Sequence, residues 1–376
     1  MTPKTPVDGT RVPSGKARRT QSLSSSLNLH DRLFSTSRDR EVARAVDSGI
    51  ERLESRLFAE VAFSDELADV AARYLLEAGG KRVRPILAML TAQLGDGVTD
   101  QVIMAGASIE LTHLASLYHD DVMDSAPVRR GVPTAQNVWG NSIAILVGDL
   151  LFARASKLLS ILGERAIQLQ ADTFERLCLG QLHETIGPKA GENPIEHYLQ
   201  VLSDKTGSLI SASAQMGVIF SNASSEYEQP VIEFGEKIGV AFQLIDDVLD
   251  MSPPSDDGSA APTGKKAGTD VRAGVVTLPV LYLRKRARRS AEAAELLARI
   301  DAIAEAERAA EPGHEVDEAA VDAVIAELRA HPVTKATIDE AHRWARGAVE
   351  ALAPLPDGTV KKTLTRFADT VVDRTT

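Results

Sequence analysis

Apolar residues recur at intervals of three and four from about residue 40 onward, as at Ile50, Leu53, Leu57 and Val61, at Leu67, Val70, Ala71 and Leu75, and at Ile109, Leu114 and Leu117. That interval returns side chains to one face of an α-helix, so each run predicts a helix with one side turned to a core. Alternating strand patterns bounded by turn residues are missing. Gly and Pro fall between the helical runs, at Gly79-Gly80, Gly95-Asp96-Gly97, Gly131 to Pro133, Gly187-Pro188 and Pro253-Pro254. The pattern predicts an all-α chain. Residues 1–37 lack this periodicity and are rich in Ser, Thr, Pro and Arg, a composition that buries too little apolar surface to order itself. They are expected to form a disordered arm, with 38–376 as a single all-helical domain. The arm's Arg and Ser content also suits an organelle transit peptide, but no convincing amphipathic stretch accompanies it. The longest irregular stretch of the body, Ser252 to about Gly268, suits a functional lid, although its portion Ser255 to Ala261 reads equally as a surface insertion. Beyond about residue 284 the chain turns Ala, Glu and Arg rich, which predicts peripheral amphipathic helices with little chemistry.

Charge narrows the classes of partner. Lys and Arg number 42 against 53 Asp and Glu, a net charge of −11, so no overall positive field exists to draw in a nucleic-acid backbone, and nucleic acid is not an expected partner. Any phosphate recognition must be local. The single cysteine, Cys178, has no partner for an intrachain disulfide or a zinc site, so it is expected to pack in the core of a protein kept in a reducing, cytoplasmic setting. No apolar run reaches the roughly 18 to 20 residues that a membrane-spanning helix needs, and the start of the chain carries no apolar signal core.

Two aspartate clusters interrupt the apolar helical pattern: His119-Asp120-Asp121-Val122-Met123-Asp124, and Gln243-Leu244-Ile245-Asp246-Asp247-Val248-Leu249-Asp250. Each places carboxylates at i, i+1 and i+4. Positions i and i+4 share a helix face, so Asp120 with Asp124, and Asp246 with Asp250, point the same way. Like charges so placed repel. Cations held between them relieve the repulsion, and hard oxygen ligands with few nitrogens or sulfurs point to Mg²⁺ shared with a phosphate-bearing substrate.

Basic residues complement the aspartates. Gly79-Gly80-Lys81-Arg82-Val83-Arg84-Pro85 is a helix stop followed by a basic turn that opens the next helix, and cations beside a helix N-terminus make an anion site. A short basic run is ordinarily a solvated face. Here it is matched by Arg129-Arg130-Gly131, only five residues past Asp124, and arginine's planar fork suits phosphate. Lys205-Thr206-Gly207-Ser208 and Gly264-Lys265-Lys266-Ala267-Gly268-Thr269-Asp270 add further cationic spots, neither of which fits the Walker pattern of an ATPase. Two carboxylate clusters and several separate cationic spots are the equipment for holding two diphosphates at once.

These motifs, together with Gly148-Asp149 and Gly180-Gln181 and in this order over residues 75–285, closely resemble the trans-isoprenyl diphosphate synthase family, most of all its long-chain bacterial polyprenyl synthases. The resemblance implies an all-α, isoprenoid synthase-type helical bundle around a deep central cavity, in a homodimer, with peripheral membrane contact for product release. It implies a prenyltransferase that adds isopentenyl diphosphate to an allylic diphosphate in successive trans condensations. Asp120 and Asp124 would chelate Mg²⁺ on one side of the allylic diphosphate and Asp246 on the other, with Asp121, Asp247 and Asp250 in support. Arg129, Lys205, Thr206, Gln243 and Lys265 would grip that diphosphate, and Lys81, Arg84, His113 and Arg130 would bind the diphosphate of isopentenyl diphosphate. Lys265 is preferred to the adjacent Lys266 because it holds the family spacing to Gly268 and Asp270. Many relatives carry Lys where this chain has Val275, so one phosphate contact is absent or replaced here.

Product length in the family follows the side chains below the first aspartate cluster. At five and four residues before Asp120 stand Ala115 and Ser116, about 6 to 7.5 Å down the helix axis. Both are small, where short-chain enzymes place Phe or Tyr, so a long product of the quinone side-chain kind is expected. A floor supplied by another helix would instead leave a product as short as geranylgeranyl. Two rivals fit less well. A class I terpene cyclase usually has an Asn/Ser/Glu-type second metal site and needs no second diphosphate site, and a noncatalytic partner subunit typically loses aspartates that this chain retains.

Overall fold

The computed structural model describes residues 36–252, 267–309 and 317–375. The chain runs α1 (Ser37–Glu60), α2 (Glu66–Glu77), α3 (Val83–Thr91), α4 (Asp100–Met123), a hairpin of β1 (Val128–Arg129) and β2 (Val132–Pro133), α5 (Ala135–Trp139), α6 (Asn141–Leu162), α7 (Glu164–Ile186) and α8 (Pro194–Leu202). A π-helical turn, Ser203–Gly207, leads into α9 (Ser208–Phe220), followed by α10 (Glu228–Asp250), α11 (Thr269–Ala273), α12 (Leu278–Ala287), α13 (Ala291–Ala309), α14 (Glu318–Ala330), α15 (Pro332–Ala351) and α16 (Thr359–Val372). The fold is all-α. Among the described residues the two-residue strands of the hairpin, antiparallel with Val128 opposite Pro133, are its only sheet.

Most of the expected arm lies outside the described residues. Its last two positions begin the fold: the Thr36 hydroxyl accepts from the Asp39 amide and Asp39 accepts from the Thr36 amide, a reciprocal pair that satisfies two amides at the start of α1. Asp39 also accepts the Thr359 hydroxyl at 2.5 Å, which joins the first helix to the last, and that bond holds its carboxyl below the usual range.

The apolar face read from Ile50, Leu53, Leu57 and Val61 is buried. The second run divides. Ala71 and Leu75 are buried while Leu67 and Val70 remain exposed, because α2 turns only its later half inward. Helix α4 is buried on nearly every side, against α1, α3, α6 and α9, which explains why its sequence is apolar beyond one stripe. Tyr118 fastens α2 to it, donating to the Ala71 carbonyl and accepting from the Leu75 amide. A large core runs from α1 to α16, and a smaller one joins Met251 and Val271 to α12, α13 and α14, with Val276 and Tyr282 packed against both. Cys178, expected in the core, is exposed on α7 because that helix buries Thr173, Leu177 and Gly180 on its other side.

Small residues let the central helices approach. A Cβ on Gly217 of α9 would lie 2.1 Å from both the Ala88 carbonyl oxygen and the Thr91 hydroxyl of α3, and Thr91 donates to the Ala214 carbonyl at 2.8 Å across the same crossing. Gly239 of α10 meets Gly207 in the same way, which holds the π-helical turn against α10. Gly217→Ala should therefore destabilise the fold by about 1–3 kcal/mol, since the clash is with backbone. Urea unfolding measures it, and a midpoint equal to that of the parent would show that α3 and α9 separate at no cost.

Candidate active site

The first aspartate cluster ends α4. Asp120 faces a group of charges, and burial pushes its carboxyl up to about 6, with Asp124 and Glu184 adding to the rise and Lys205 and Arg129 opposing it. Asp121 turns the other way. It is 1% exposed and accepts from both Nε and Nη2 of Arg129 at 2.7 Å, which fixes the arginine on the β1–β2 hairpin beside the cluster. Gln136 of α5 donates to the Asp121 carbonyl at 2.7 Å and closes the turn behind it. His119 lies over Gly148, where a Cβ would come within 2.3 Å of its ring, so the Gly148-Asp149 motif is the seat of this histidine. His119 also lies 3.5 Å from Asp149.

The second cluster ends α10, and its three carboxylates have different surroundings. Asp246 is partly exposed and pairs with Arg374 at 2.7 Å. Asp247 is buried, accepts the Tyr198 hydroxyl at 2.5 Å, and has its carboxyl raised well above the usual range by burial. Asp250 receives the returning chain: its carboxylate accepts from the Asp270 amide at 3.0 Å and its carbonyl from the Gly268 amide at 2.7 Å. Lys265 and Lys266 lie outside the described residues. Val275, the departure noted in the sequence, is exposed.

The π-helical turn brings Lys205 and Thr206 toward both clusters. Lys205 pairs with Glu184 of α7 at 2.6 Å, and Thr206 donates to Gln243 at 3.5 Å. Such turns interrupt helices where a side chain must be re-aimed. On the other side, Arg84 and Arg130 gather about His113, while Lys81 lies within the influence of Arg374 and Asp246. Burial lowers the lysine, with Arg374 adding to the fall and Asp246 opposing it. Burial also pushes Arg130 down to about 10. His113 is driven well below its ordinary range by burial, then by Arg84, Arg130, Arg129 and Arg82, so it is a neutral imidazole among cations. Arg84 Nε is buried with no partner among the described residues, a donor left for a ligand. Ser116 lies on the Asp120 face with its hydroxyl turned back to the His113 carbonyl at 2.9 Å, and Ala115 is fully buried.

Four further residues belong to the site. None of them was singled out from the sequence, although an acid within an apolar helical run marks Glu110 and a place just after Gly180-Gln181 marks Glu184. Tyr198 and Arg374 carried no local signal. Arg374 corrects the expectation that the chain beyond residue 284 holds little chemistry: it reaches Asp246 and stacks over Phe242, 4.7 Å from the ring centre. Among the described residues no three acids or histidines converge to hold a metal ion by themselves. Asp120 and Asp124 nevertheless fit a hard divalent cation completed by phosphate oxygens: burial first, and then the neighbouring Asp124, raise Asp120, and a bound cation would offset both. Arranged this way, the site sets cations beside both carboxylate clusters, a combination that suits phosphate-bearing ligands.

Residues 65–311 match the model of the polyprenyl synthetase family. The chain is 41% identical over 337 residues to the nonaprenyl diphosphate synthase of Mycobacterium tuberculosis, covering 89% of this chain and 95% of the relative. The crystal structure of a decaprenyl diphosphate synthase from Rhodobacter capsulatus is similar with a TM-score of 0.75 at 30% identity, covering 89% of this chain and 99% of that one. The geranylgeranyl pyrophosphate synthase of Corynebacterium glutamicum, solved complexed with calcium and isoprenyl diphosphate, gives a TM-score of 0.73 at 36% identity over 89% of this chain and 97% of that one. A family match across well over half of its length, carried by the same motifs that build the site, places this chain in the polyprenyl synthetase family.

Proposed function

We propose that the protein condenses isopentenyl diphosphate with an allylic diphosphate in successive trans additions and makes a long-chain polyprenyl diphosphate. The observation that carries this reading is that each aspartate cluster has cations beside it, Lys205 and Arg129 about Asp120 and Lys81 and Arg374 about Asp246, with Arg84 and Arg130 gathered about His113. Arg129, Lys205, Thr206, Gln243 and Lys265 are assigned to the allylic diphosphate, and Lys81, Arg84, His113 and Arg130 to that of isopentenyl diphosphate. Asp120, Asp124 and Asp246 would hold Mg²⁺, which when bound neutralises negative charge on the departing diphosphate. Arg129 and Lys205 stabilise the same charge as the allylic carbon–oxygen bond breaks, exchanging their pairings with Asp121 and Glu184 for phosphate oxygens. The double bond of isopentenyl diphosphate attacks the allylic cation, and the released pyrophosphate takes the proton, so no protein base is required.

Small side chains at Ala115 and Ser116 and the 41% identity to a nonaprenyl synthase support a long product. A geranylgeranyl product is the second reading, favoured by the 36% identity to the corynebacterial enzyme. A homodimer is proposed through α6 and α7, whose Ile145, Leu146, Ile161, Ile167, Leu179, Leu182 and Ile186 are exposed. Met123 and Val128, exposed beside the first cluster, suit peripheral contact with a membrane that accepts the product, although no helix of the described residues is long and apolar enough to cross one.

Three measurements test these assignments. Asp120→Ala and Asp246→Ala should each lower turnover about a hundredfold or more while the far-ultraviolet circular dichroism is unchanged. Near-parental activity in either variant, or full activity in excess chelator, would falsify the two-cluster metal mechanism. Lys81→Ala and Arg84→Ala should raise KM for isopentenyl diphosphate about tenfold or more, and Arg129→Ala that for the allylic substrate. If all three changes raised KM for one substrate alone, the division of the cations would be wrong. Ala115→Phe or Ser116→Tyr should shorten the product, at a stability cost of about 1–3 kcal/mol. Products are dephosphorylated and sized under matched substrate ratios, and an unchanged long product from an active variant would remove these residues from control of length.

A further inference from the structure

Glu110 is 2% exposed on α4, two to three turns before the first aspartate cluster, and the reaction outlined above gives it no step. Arg82 Nη1 lies 3.0 Å from its carboxylate, while Arg82 Nε is 2.6 Å from Glu54 at the rim. Arg82 is itself buried and held in the left-handed region with φ 51°, its remaining donors on the Gly79 and Leu76 carbonyls. A Cβ on Gly80 would lie 2.7 Å from Arg82 Nη1 and 3.1 Å from Arg130 Cζ, so two guanidinium groups crowd against that glycine. Arg84 brings a third, with its Nε unpartnered among the described residues. Glu110 favours the charged form of Arg82, Arg84 and Arg130 alike, whereas Glu54 acts on Arg82 and on neither of the other two. One buried carboxylate therefore faces three arginines.

We propose that Glu110 is a positioning residue serving as an internal anion for the isopentenyl diphosphate site: its charge holds Arg82, Arg84 and Arg130 together while no diphosphate is bound, and the same charge weakens their grip once one is. The inference rests on the assignment of Lys81, Arg84, His113 and Arg130 to that diphosphate. Its use follows from the chemistry of repeated addition. The bond that breaks is the allylic carbon–oxygen bond, so the growing product keeps the diphosphate that arrived on isopentenyl diphosphate. Before the next addition that group must leave these arginines for the allylic side. A fixed negative charge behind them favours departure, as a second anion close to the first must by Coulomb repulsion.

Glu110→Gln keeps the shape and the hydrogen-bond acceptor and removes the charge. Inorganic pyrophosphate in excess chelator is the probe, because the allylic side then lacks its cation. Glu110→Gln should lower the melting temperature of the ligand-free protein, tighten pyrophosphate binding about tenfold in calorimetry, and enlarge the thermal shift that pyrophosphate gives. With substrates, KM for isopentenyl diphosphate and kcat should both fall, and Glu110→Asp should restore both. Glu54→Gln should destabilise without tightening pyrophosphate, the signature of a merely structural contact. Should Glu110→Gln be too unstable alone, Glu110→Gln with Arg130→Gln should recover stability by removing one of the repelling charges. Equal pyrophosphate affinity in parent and Glu110→Gln, or no recovery in the double variant, overturns the proposal. A parent that binds no pyrophosphate overturns it by removing the cation site itself, and the assignment of that site fails with it.

Discussion

Everything in this site follows from the cost of crowding like charges away from water. The two aspartate clusters and the arginines about His113 are each crowded, and without counter-ions each group would repel itself. The fold answers with local counter-ions: Asp121 under Arg129, Glu184 under Lys205, Glu110 and Glu54 under Arg82, Arg374 over Asp246. The pairings of Arg129, Lys205 and Asp246 lie near helix ends and turns, whereas Glu110 meets Arg82 from the middle of α4. The framework behind them is apolar and close-packed, so the charges can exchange partners without the helices having to move.

The elements of this framework were legible because helices announce themselves by period. Ile50, Leu53, Leu57 and Val61 were read as one buried face and are one. Where the reading fell short, the deciding force was tertiary. Leu67 and Val70 share the period but α2 covers only its later half, and Cys178 is exposed because α7 spends its narrow inward face on Thr173, Leu177 and Gly180. Periodicity tells that a face exists, and not how much of it the neighbours reach.

The motifs likewise gave the charged residues without their partners. Nothing in Gly79–Pro85 indicates that its middle arginine is buried structure while the residues around it face the site, since that division depends on Glu54 and Glu110, which are 28 residues away on either side. Tyr198 beside Asp247 and Arg374 beside Asp246 are separated from their partners by 49 and 128 residues. Contacts that close such long loops leave no local trace in composition. The sequence shows His113 on the helix that carries Asp120, but its neutrality depends on burial and then on four arginines from two other segments, Arg82 and Arg84 in one and Arg129 and Arg130 in the other.

Asp250 joins the end of α10 to the start of α11 by two bonds, one from its carboxylate to the Asp270 amide and one from its carbonyl to the Gly268 amide. The chain leaves α10 and is met again at the same residue. For a stretch closed at both ends in this way, changing the number of residues between them costs little, because closure entropy varies only slowly with loop length. The fold thus has a splice point next to the second cluster. A change of length early in that stretch, before Lys265, would leave Asp246 and Asp247 where they are.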